Sequence, residues 1–361
     1  MNPVVVVGGG VVGLAVAEAL AADREVTVVE RAETGEGTTA ASMAVFHRQN
    51  PSPTAFDAGL CRMAWERYGP AVEAGDLPYE RIGSLHLAET GAFARRLSDA
   101  AVTLTDLGIE TEVLDAGSVA EFGIATRGIE GGIYTPDEGY FDPGELVSWF
   151  AARCRERGCE IRTGTEVTDV RVEEGAVAAV ETETGPIDAG VVVNAAGPWA
   201  DRIDTMVGLS LPLARTRGPI LDLRARDPPR PFTLFERGSY LRSHGRGLYV
   251  GRYATGFEQR ETVDPDDPGS VGDPFRANVD DLSRFVPSLD GAPVVDEWVG
   301  VRTVTPDGRP FVGETDVGSY YVATGMSGLG VTIAPAVGRL LARSIETGEP
   351  VPEELSPARA D

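Results

Sequence analysis

Gly8, Gly10 and Gly13 stand at the spacing G-x-G-x-x-G, and a carboxylate, Glu30, lies a short way down the chain. Glycines in that pattern let a chain turn tightly and bring backbone N–H groups against a pyrophosphate, and an acid at this distance suits a pair of ribose hydroxyls. The pattern means little unless a strand precedes it and a helix follows. Here the run Val4, Val5, Val6, Val7 reads as a buried parallel strand, residues 14–21 as a helix, and 25–29 as a second strand ending at Glu30. Gly8 serves the turn, Gly10 the close approach of backbone to ligand, and Gly13 the packing of helix on strand. The pyrophosphate then sits at the helix N-terminus. Glu30 disfavours a cofactor with a 2′-phosphate, although Arg31 beside it would suit one; NAD and FAD both remain open at this point.

A second anion-stabilising helix start is visible near the other end of the chain. Gly325, Met326, Ser327, Gly328, Leu329 and Gly330 introduce a helix over 332–346, whose first N–H groups and dipole favour negative charge. The small-residue loop 34–42 can lie flat against a cofactor. The apolar run 191–197 reads as a central parallel strand whose small end residues open onto a ligand before Pro198 and Trp199.

These sites need a scaffold. Apolar spacing predicts helices over 55–73 and 91–107, and strands over 82–88 and 131–134. Asp142 reads as the N-cap of a helix that begins with Pro143 and is stopped by Gly158. Strands at 160–162, 166–172 and 176–181 follow, the last two as a meander. Residues 206–300 bring short strands and Arg-rich turns, read as an antiparallel sheet inserted into the nucleotide domain, with the substrate pocket at the boundary. The segment 264–274 reads as a solvated acidic loop, with a lid as the alternative. Residues 298–313 read as strand, Pro-Asp-Gly turn and strand returning to the first domain, and 320–324 as a further strand.

Composition narrows the function classes. The chain of 361 residues has 56 acidic and 32 basic residues, a net charge of −24, and no lysine. A dense carboxylate surface without lysine suits high salt, where screening removes self-repulsion. It also argues against nucleic acid as a partner. No apolar run is long enough to span a membrane, and no signal peptide precedes the first strand, so a cytoplasmic location is expected. Cys61, Cys154 and Cys159 lack paired metal spacing, so inert thiols are expected, with neither disulfide nor metal. His86 and His244 read as structural, the latter at a hairpin tip over 243–247.

Together these motifs carry a family resemblance over nearly the whole chain. Gly8 to Gly13 with Glu30, the Thr38-Thr39-Ala40-Ala41 loop, Gly139 to Pro143, Asn194 to Trp199, Trp298 to Gly313 and Gly325 to Ala334 resemble the D-amino-acid oxidase, glycine oxidase and sarcosine oxidase superfamily, with glycine oxidase the nearest in pattern. The resemblance implies an α/β fold: a Rossmann-like FAD-binding domain over 1–75, 136–205 and 291–361, interwoven with an antiparallel-sheet substrate domain over 76–135 and 206–290. It implies FAD rather than NAD. Gly8, Gly10, Gly13 and the adjoining Val11 and Val12 would hold the pyrophosphate, and Glu30 with Arg31 the ribose end. Thr38 and Thr39 would lie along the cofactor, and Val167 would meet the adenine through its backbone. Ala196, Gly197 and Trp199 would complete one wall. Met326, Ser327, Gly328, Leu329, Gly330, Val331 and Thr332 would place N–H groups near the flavin pyrimidine edge, where negative charge accumulates on reduction. Arg302 matches the family's carboxylate-binding arginine and Tyr240 its partner; a structural ion pair of Arg302 with Asp296, Glu297 or Asp307 is the competing reading.

The activity so implied is oxidation of the C–N bond of a small amino acid or secondary amine, with hydride passing from the α-carbon to flavin N5 and no obligatory general base. Oxidation of a 2-hydroxy acid is a variant, and a flavoprotein subunit that needs a partner is the alternative from another class. An assembly of identical chains is left open. Three departures bear on the chemistry. Thr303, Val304 and Thr305 stand where sarcosine-type relatives attach flavin to a cysteine, which implies non-covalent FAD. The lysines those relatives use for oxygen activation cannot exist here, which tilts expectation towards a dehydrogenase. Ser327 aligns with a further pocket arginine of glycine oxidase.

Overall fold

In the computed structural model, which describes residues 2–245 and 247–360, the four valines Val4–Val7 form a strand buried on both faces. Val4 and Val6 face one hydrophobic cluster, Val5 and Val7 another. Burial on both sides is what a parallel sheet covered by two layers requires, and it explains the unbroken β-branched run. The strand pairs in parallel with Val26–Val29 on one side and Val191–Asn194 on the other. The whole sheet runs Phe311–Glu314, Tyr320–Thr324, Val191–Asn194, Val4–Val7, Val26–Val29, Glu160–Arg162, and Phe311–Glu314 alone is antiparallel to its neighbour.

Helices Val11–Leu20, Ala55–Ala74, Pro143–Glu156 and Gly330–Thr347 pack on the Val4/Val6 face. The Asp142 side chain accepts the Glu145 N–H at 3.0 Å and caps the third of these, with Pro143 in its first turn. The Val5/Val7 face is covered by a three-stranded meander, Val167–Glu173, Ala176–Thr182 and Gly185–Asp188. The thiols of Cys61, Cys154 and Cys159 are free and buried. Among the described residues no helix is long and apolar enough to cross a membrane.

A second, eight-stranded sheet runs Val294–Val304, Ala214–Leu223, Gly247–Arg252, Ser239–His244, Phe232–Phe235, Ser84–Ala88, Gly131–Thr135, Glu112–Asp115. It departs from the sequence expectation in two ways. It is not wholly antiparallel, because Phe232–Phe235 pairs in parallel with Ser84–Ala88, joining two segments far apart in the chain. The strand Val294–Val304, expected with the nucleotide domain, belongs to this sheet and pairs with Ala214–Leu223 from Ala214↔Val304 to Leu223↔Val294. The turn after it is no hairpin. Pro306 and Pro310 lack the N–H groups a ladder needs, and the Thr305 hydroxyl donates to Arg309 O at 2.7 Å, so the chain crosses here from one sheet to the other. The hairpin tip expected at 243–247 is present as the pair His244↔Gly247, with Arg246 outside the described residues. His244 Nε2 lies 2.8 Å from Asp222 Oδ1, a structural contact.

Two glycines carry the tightest packing around the first helix. A Cβ on Gly13 would lie 1.9 Å from Gly8 O, and one on Gly338 would lie 2.5 Å from Ala15 O, so helices Val11–Leu20 and Gly330–Thr347 meet backbone to backbone. Gly338→Val should therefore destabilise the protein by about 1–3 kcal/mol through overpacking. A fall in the urea midpoint at unchanged slope is the expected outcome; an unchanged midpoint would show that the helices can part without cost.

Candidate active site

A cleft of about 230 Å³ opens at the carboxyl ends of the central parallel strands, where Val7 and Gly8, Val29 and Glu30, and Ala195 and Ala196 come together. Gly8 has φ +110°, and a Cβ there would lie 2.5 Å from Ala195 O, so the turn out of the first strand admits only glycine. Gly10 is the N-cap of the following helix without a side-chain cap, which leaves helix-start N–H groups for a ligand. Glu30 already accepts two backbone N–H groups, from Gly9 at 2.7 Å and from Ala32 at 2.9 Å. It is thereby fixed against the glycine turn.

Most of the residues singled out from sequence border this cleft: Gly8, Gly10, Val11, Val12, Glu30, Arg31, Thr38, Thr39, Val167, Ala196, Gly197, Trp199, Met326, Ser327, Gly328, Gly330 and Val331. Gly13 stands behind it, in contact with Gly8. Both threonine hydroxyls are occupied by the protein. Thr39 Oγ1 accepts the Val11 N–H at 3.2 Å, and Thr38 Oγ1 donates to Val301 O at 2.7 Å, tying the small-residue loop to the helix start and to the second sheet. Ser327 takes the left-handed conformation, φ +48°, and its N–H donates to Thr303 O at 3.0 Å.

Two bordering residues went unnoticed as ligands in the sequence. Thr303 Oγ1 and Thr324 Oγ1 are buried and have no partner among the described residues. A buried hydroxyl left unmatched is costly, and a bound group with polar edges would satisfy both. The residues present therefore fit FAD: a glycine turn open to a pyrophosphate, a fixed carboxylate for ribose, and orphan hydroxyls further along the cleft.

The acidic segment is not simply solvated. Asp266 Oδ1 accepts from Arg31 at 2.7 Å and from Trp199 Nε1 at 2.9 Å, Asp266 Oδ2 accepts from Arg202 at 2.6 Å, and the Arg31 guanidinium lies 4.0 Å over the Trp199 ring. Desolvation pushes the Asp266 carboxyl up, but the hydrogen bonds from Arg202, Arg31 and Trp199 outweigh it and hold the group at about 2. The loop is docked on Arg31, Trp199 and Arg202, which border the cleft.

A second cavity, about 110 Å³, adjoins the first and shares Thr38, Ser42, Arg302, Gly328 and Val331 with it. Leu329 and Thr332 border this cavity and not the larger one; the Thr332 hydroxyl accepts the His47 N–H at 3.1 Å and donates to Val45 O at 3.3 Å. Arg302 and Tyr240 meet here, with Arg302 Nη2 donating to the Tyr240 hydroxyl at 3.0 Å. The same Nη2 donates to Arg252 O at 3.0 Å, and Nη1 donates to Arg217 O at 3.4 Å. Among the described residues no carboxylate lies within 4.0 Å of the guanidinium. The acids that competed for it have other partners: Asp307 takes Arg359 at 2.9 Å, Glu297 takes Arg276, and Asp296 accepts the Glu297 N–H at 2.8 Å. Ser327, aligned with a pocket arginine, borders the cofactor cleft instead.

Space for the pair comes from neighbouring strands. A Cβ on Gly218 would sit 2.9 Å from the Arg302 guanidinium, and one on Gly251 2.5 Å from the Tyr240 ring. Phe232, Ile220 and Tyr253 add apolar wall, and His47 contributes an imidazole that sequence reading passed over, since nothing in its spacing marked it.

Known proteins place this arrangement. Residues 3–344 match the family model of FAD dependent oxidoreductases, DAO. Glycine oxidase from Geobacillus kaustophilus is 27% identical over 361 aligned positions, covering 96% of this chain and 93% of that protein. Mitochondrial dimethylglycine dehydrogenase from Mus musculus is 29% identical over 98% of this chain, which spans only 44% of that relative's length. The crystal structure of L-proline dehydrogenase from P. horikoshii superposes with a TM-score of 0.88 at 26% identity, covering 99% of this chain and 97% of that one. The chain therefore belongs to the DAO family of FAD-dependent oxidoreductases, and its cofactor is FAD.

Proposed function

We propose that this enzyme oxidises the C–N bond of a small amino acid or secondary amine that carries a carboxylate. The observation that supports this reading is Arg302, a guanidinium bordering the cavity next to the cofactor cleft with a phenol and two carbonyls as partners and, among the described residues, no carboxylate. Among the described residues Nε and the second Nη1 hydrogen of this cation have no partner, and a charge-assisted contact from them to a carboxylate would fix the α-carbon. FAD, when bound in the cofactor cleft, would supply the two-electron acceptor for the α-hydrogen, as hydride at N5. Tyr240 orients the Arg302 guanidinium and offers its own hydroxyl; Phe232 and Ile220 keep water away from the reacting carbon. The first turn of Gly330–Thr347 would offer N–H groups to negative charge on the bound cofactor. Relatives that act on glycine, on dimethylglycine and, in a protein from Paenarthrobacter nicotinovorans, on 4-methylaminobutanoate are in keeping with a short carboxylate-bearing amine.

Arg302→Met should retain FAD yet raise the apparent KM for a carboxylate substrate at least tenfold, since a lost charge-assisted contact is worth about 1.5–3 kcal/mol. Amines without a carboxylate should change little. Unchanged kcat and KM in a variant that binds FAD normally would remove Arg302 as the anchor, leaving Arg252 as the next candidate.

FAD should be held without a covalent bond, because Thr303, Val304 and Thr305 occupy the stretch where relatives carry an attachment cysteine. Acid denaturation followed by filtration should leave the yellow colour in the filtrate; flavin retained on the polypeptide would contradict it. With no lysine in the chain to stabilise superoxide, oxygen should also reoxidise the enzyme more slowly than an artificial dye does. Peroxide formation as fast as dye reduction would show that another cation fills that role.

A further inference from the structure

The cavity that holds Arg302 and Tyr240 is also bordered by His47, whose ring is built into the wall with more care than a spacer needs. Its backbone is tied to the start of helix Gly330–Thr347 through Thr332. Its Nδ1 lies 2.6 Å from Glu138 Oε2, and Phe232 meets the ring edge-on at 5.5 Å between centroids. Glu138 is itself wholly buried, 0% exposed, and its other oxygen accepts the N–H groups of Arg48 at 2.6 Å and Gln49 at 2.8 Å. Burial alone would raise the Glu138 carboxyl, but His47, Arg48 and these N–H groups prevail and hold it below the ordinary range. An ionised carboxylate only accepts, so Nδ1 carries a proton, and in the neutral imidazole Nε2 is the nitrogen with the lone pair. Among the described residues Nε2 has no hydrogen-bond partner.

We propose that His47 Nε2 is the proton acceptor for the substrate's ammonium group, with Glu138 as its positioning residue; this rests on the reading of the cavity as an amine site. A protonated nitrogen has no lone pair with which to form C=N, and the amino group of a free amino acid is protonated at neutral pH. In the step proposed, the N–H bond breaks, its electron pair stays on nitrogen, and the proton goes to Nε2. The resulting imidazolium is stabilised by the Glu138 carboxylate. The neutral amine then loses its α-hydrogen and two electrons to FAD as C=N forms, and the imidazolium proton returns to solvent as product leaves. The titratable and charged groups around the ring are Glu138 and Arg48 from the neighbouring segments, His86 on Ser84–Ala88, and Tyr240 and Arg302 on the second sheet. Burial pushes His86 down to about 3, so it stays neutral and does not compete for the proton.

The test is anaerobic stopped-flow reduction of the holoenzyme by glycine, N-methylglycine, dimethylglycine and L-proline, carried through the pH range with each that reacts. In His47→Gln the rate at neutral pH should fall about 100-fold, as expected for a lost general base, and recover as rising pH deprotonates the free amine. The affinity for acetate, read from the flavin spectrum, should stay within threefold, which a collapsed cavity would not allow. A variant that keeps the wild-type rate and pH profile overturns the assignment while leaving the amine reading intact. Should His47→Gln not retain FAD, the wild-type profile decides: an acid limb at the same pH for every substrate that reacts supports a base on the enzyme, and a limb that follows each amine's own ionisation overturns it. Failure of all four compounds to reduce the wild-type flavin overturns the amine reading, and His47 with it.

Discussion

A guanidinium placed among carbonyl oxygens and a phenol, in a chain with 56 acidic residues, is the constraint on which the rest of this structure turns. With so many carboxylates available, leaving Arg302 unmatched requires that Asp296, Glu297 and Asp307 be engaged elsewhere, and each of them is. It also requires room. Gly218 and Gly251, on strands either side of the site, supply it by having no Cβ to meet Arg302 and Tyr240. The crossing of the chain from one sheet to the other directly after Val294–Val304 then sets this cation where the second cavity joins the cofactor cleft.

The cofactor side is organised by backbone rather than by charge. The turn at Gly8, the helix start at Gly10 and the contact of Gly13 on Gly8 leave N–H groups where a pyrophosphate can reach them, and Glu30 is held against that turn by two N–H donors. The docked segment around Asp266 brings the acidic surface to the rim of the cleft, where Arg31, Arg202 and Trp199 converge on one carboxylate. Asp264 takes the other Arg202 nitrogen at 3.0 Å, so each of the two basic residues beside the cleft has a carboxylate partner.

How much of this could be read in the sequence follows from the distance over which each feature is encoded. Val4 to Glu30 is local: strand, turn, helix and strand follow in order, and each residue's role is fixed by its neighbours. The cap at Asp142 and the glycine-rich start of the last helix are legible for the same reason. The Arg302–Tyr240 pair joins residues 62 positions apart through the register of a sheet, and only likeness to a family suggested it. His47 and Glu138 are 91 positions apart on short segments with no periodic signal. Asp266 looked like solvated loop because charge and length speak for solvent until partners from Arg31 and Trp199 are seen. The strand Val294–Val304 was placed with the wrong sheet because a Pro-Asp-Gly turn between apolar runs reads as a hairpin, whereas the flanking prolines make it a crossover.

The account is tested most directly by mixing the oxidised holoenzyme under argon with matched compounds that differ in one group: an N-methyl amino acid, the amine lacking its carboxylate, and the 2-hydroxy acid lacking its nitrogen. Bleaching of the flavin by the first, much faster than by either of the others, is the result expected of a site that anchors a carboxylate and oxidises a C–N bond. Bleaching by the hydroxy acid in preference to the amino acid, or at equal rates with and without the carboxylate, would contradict it.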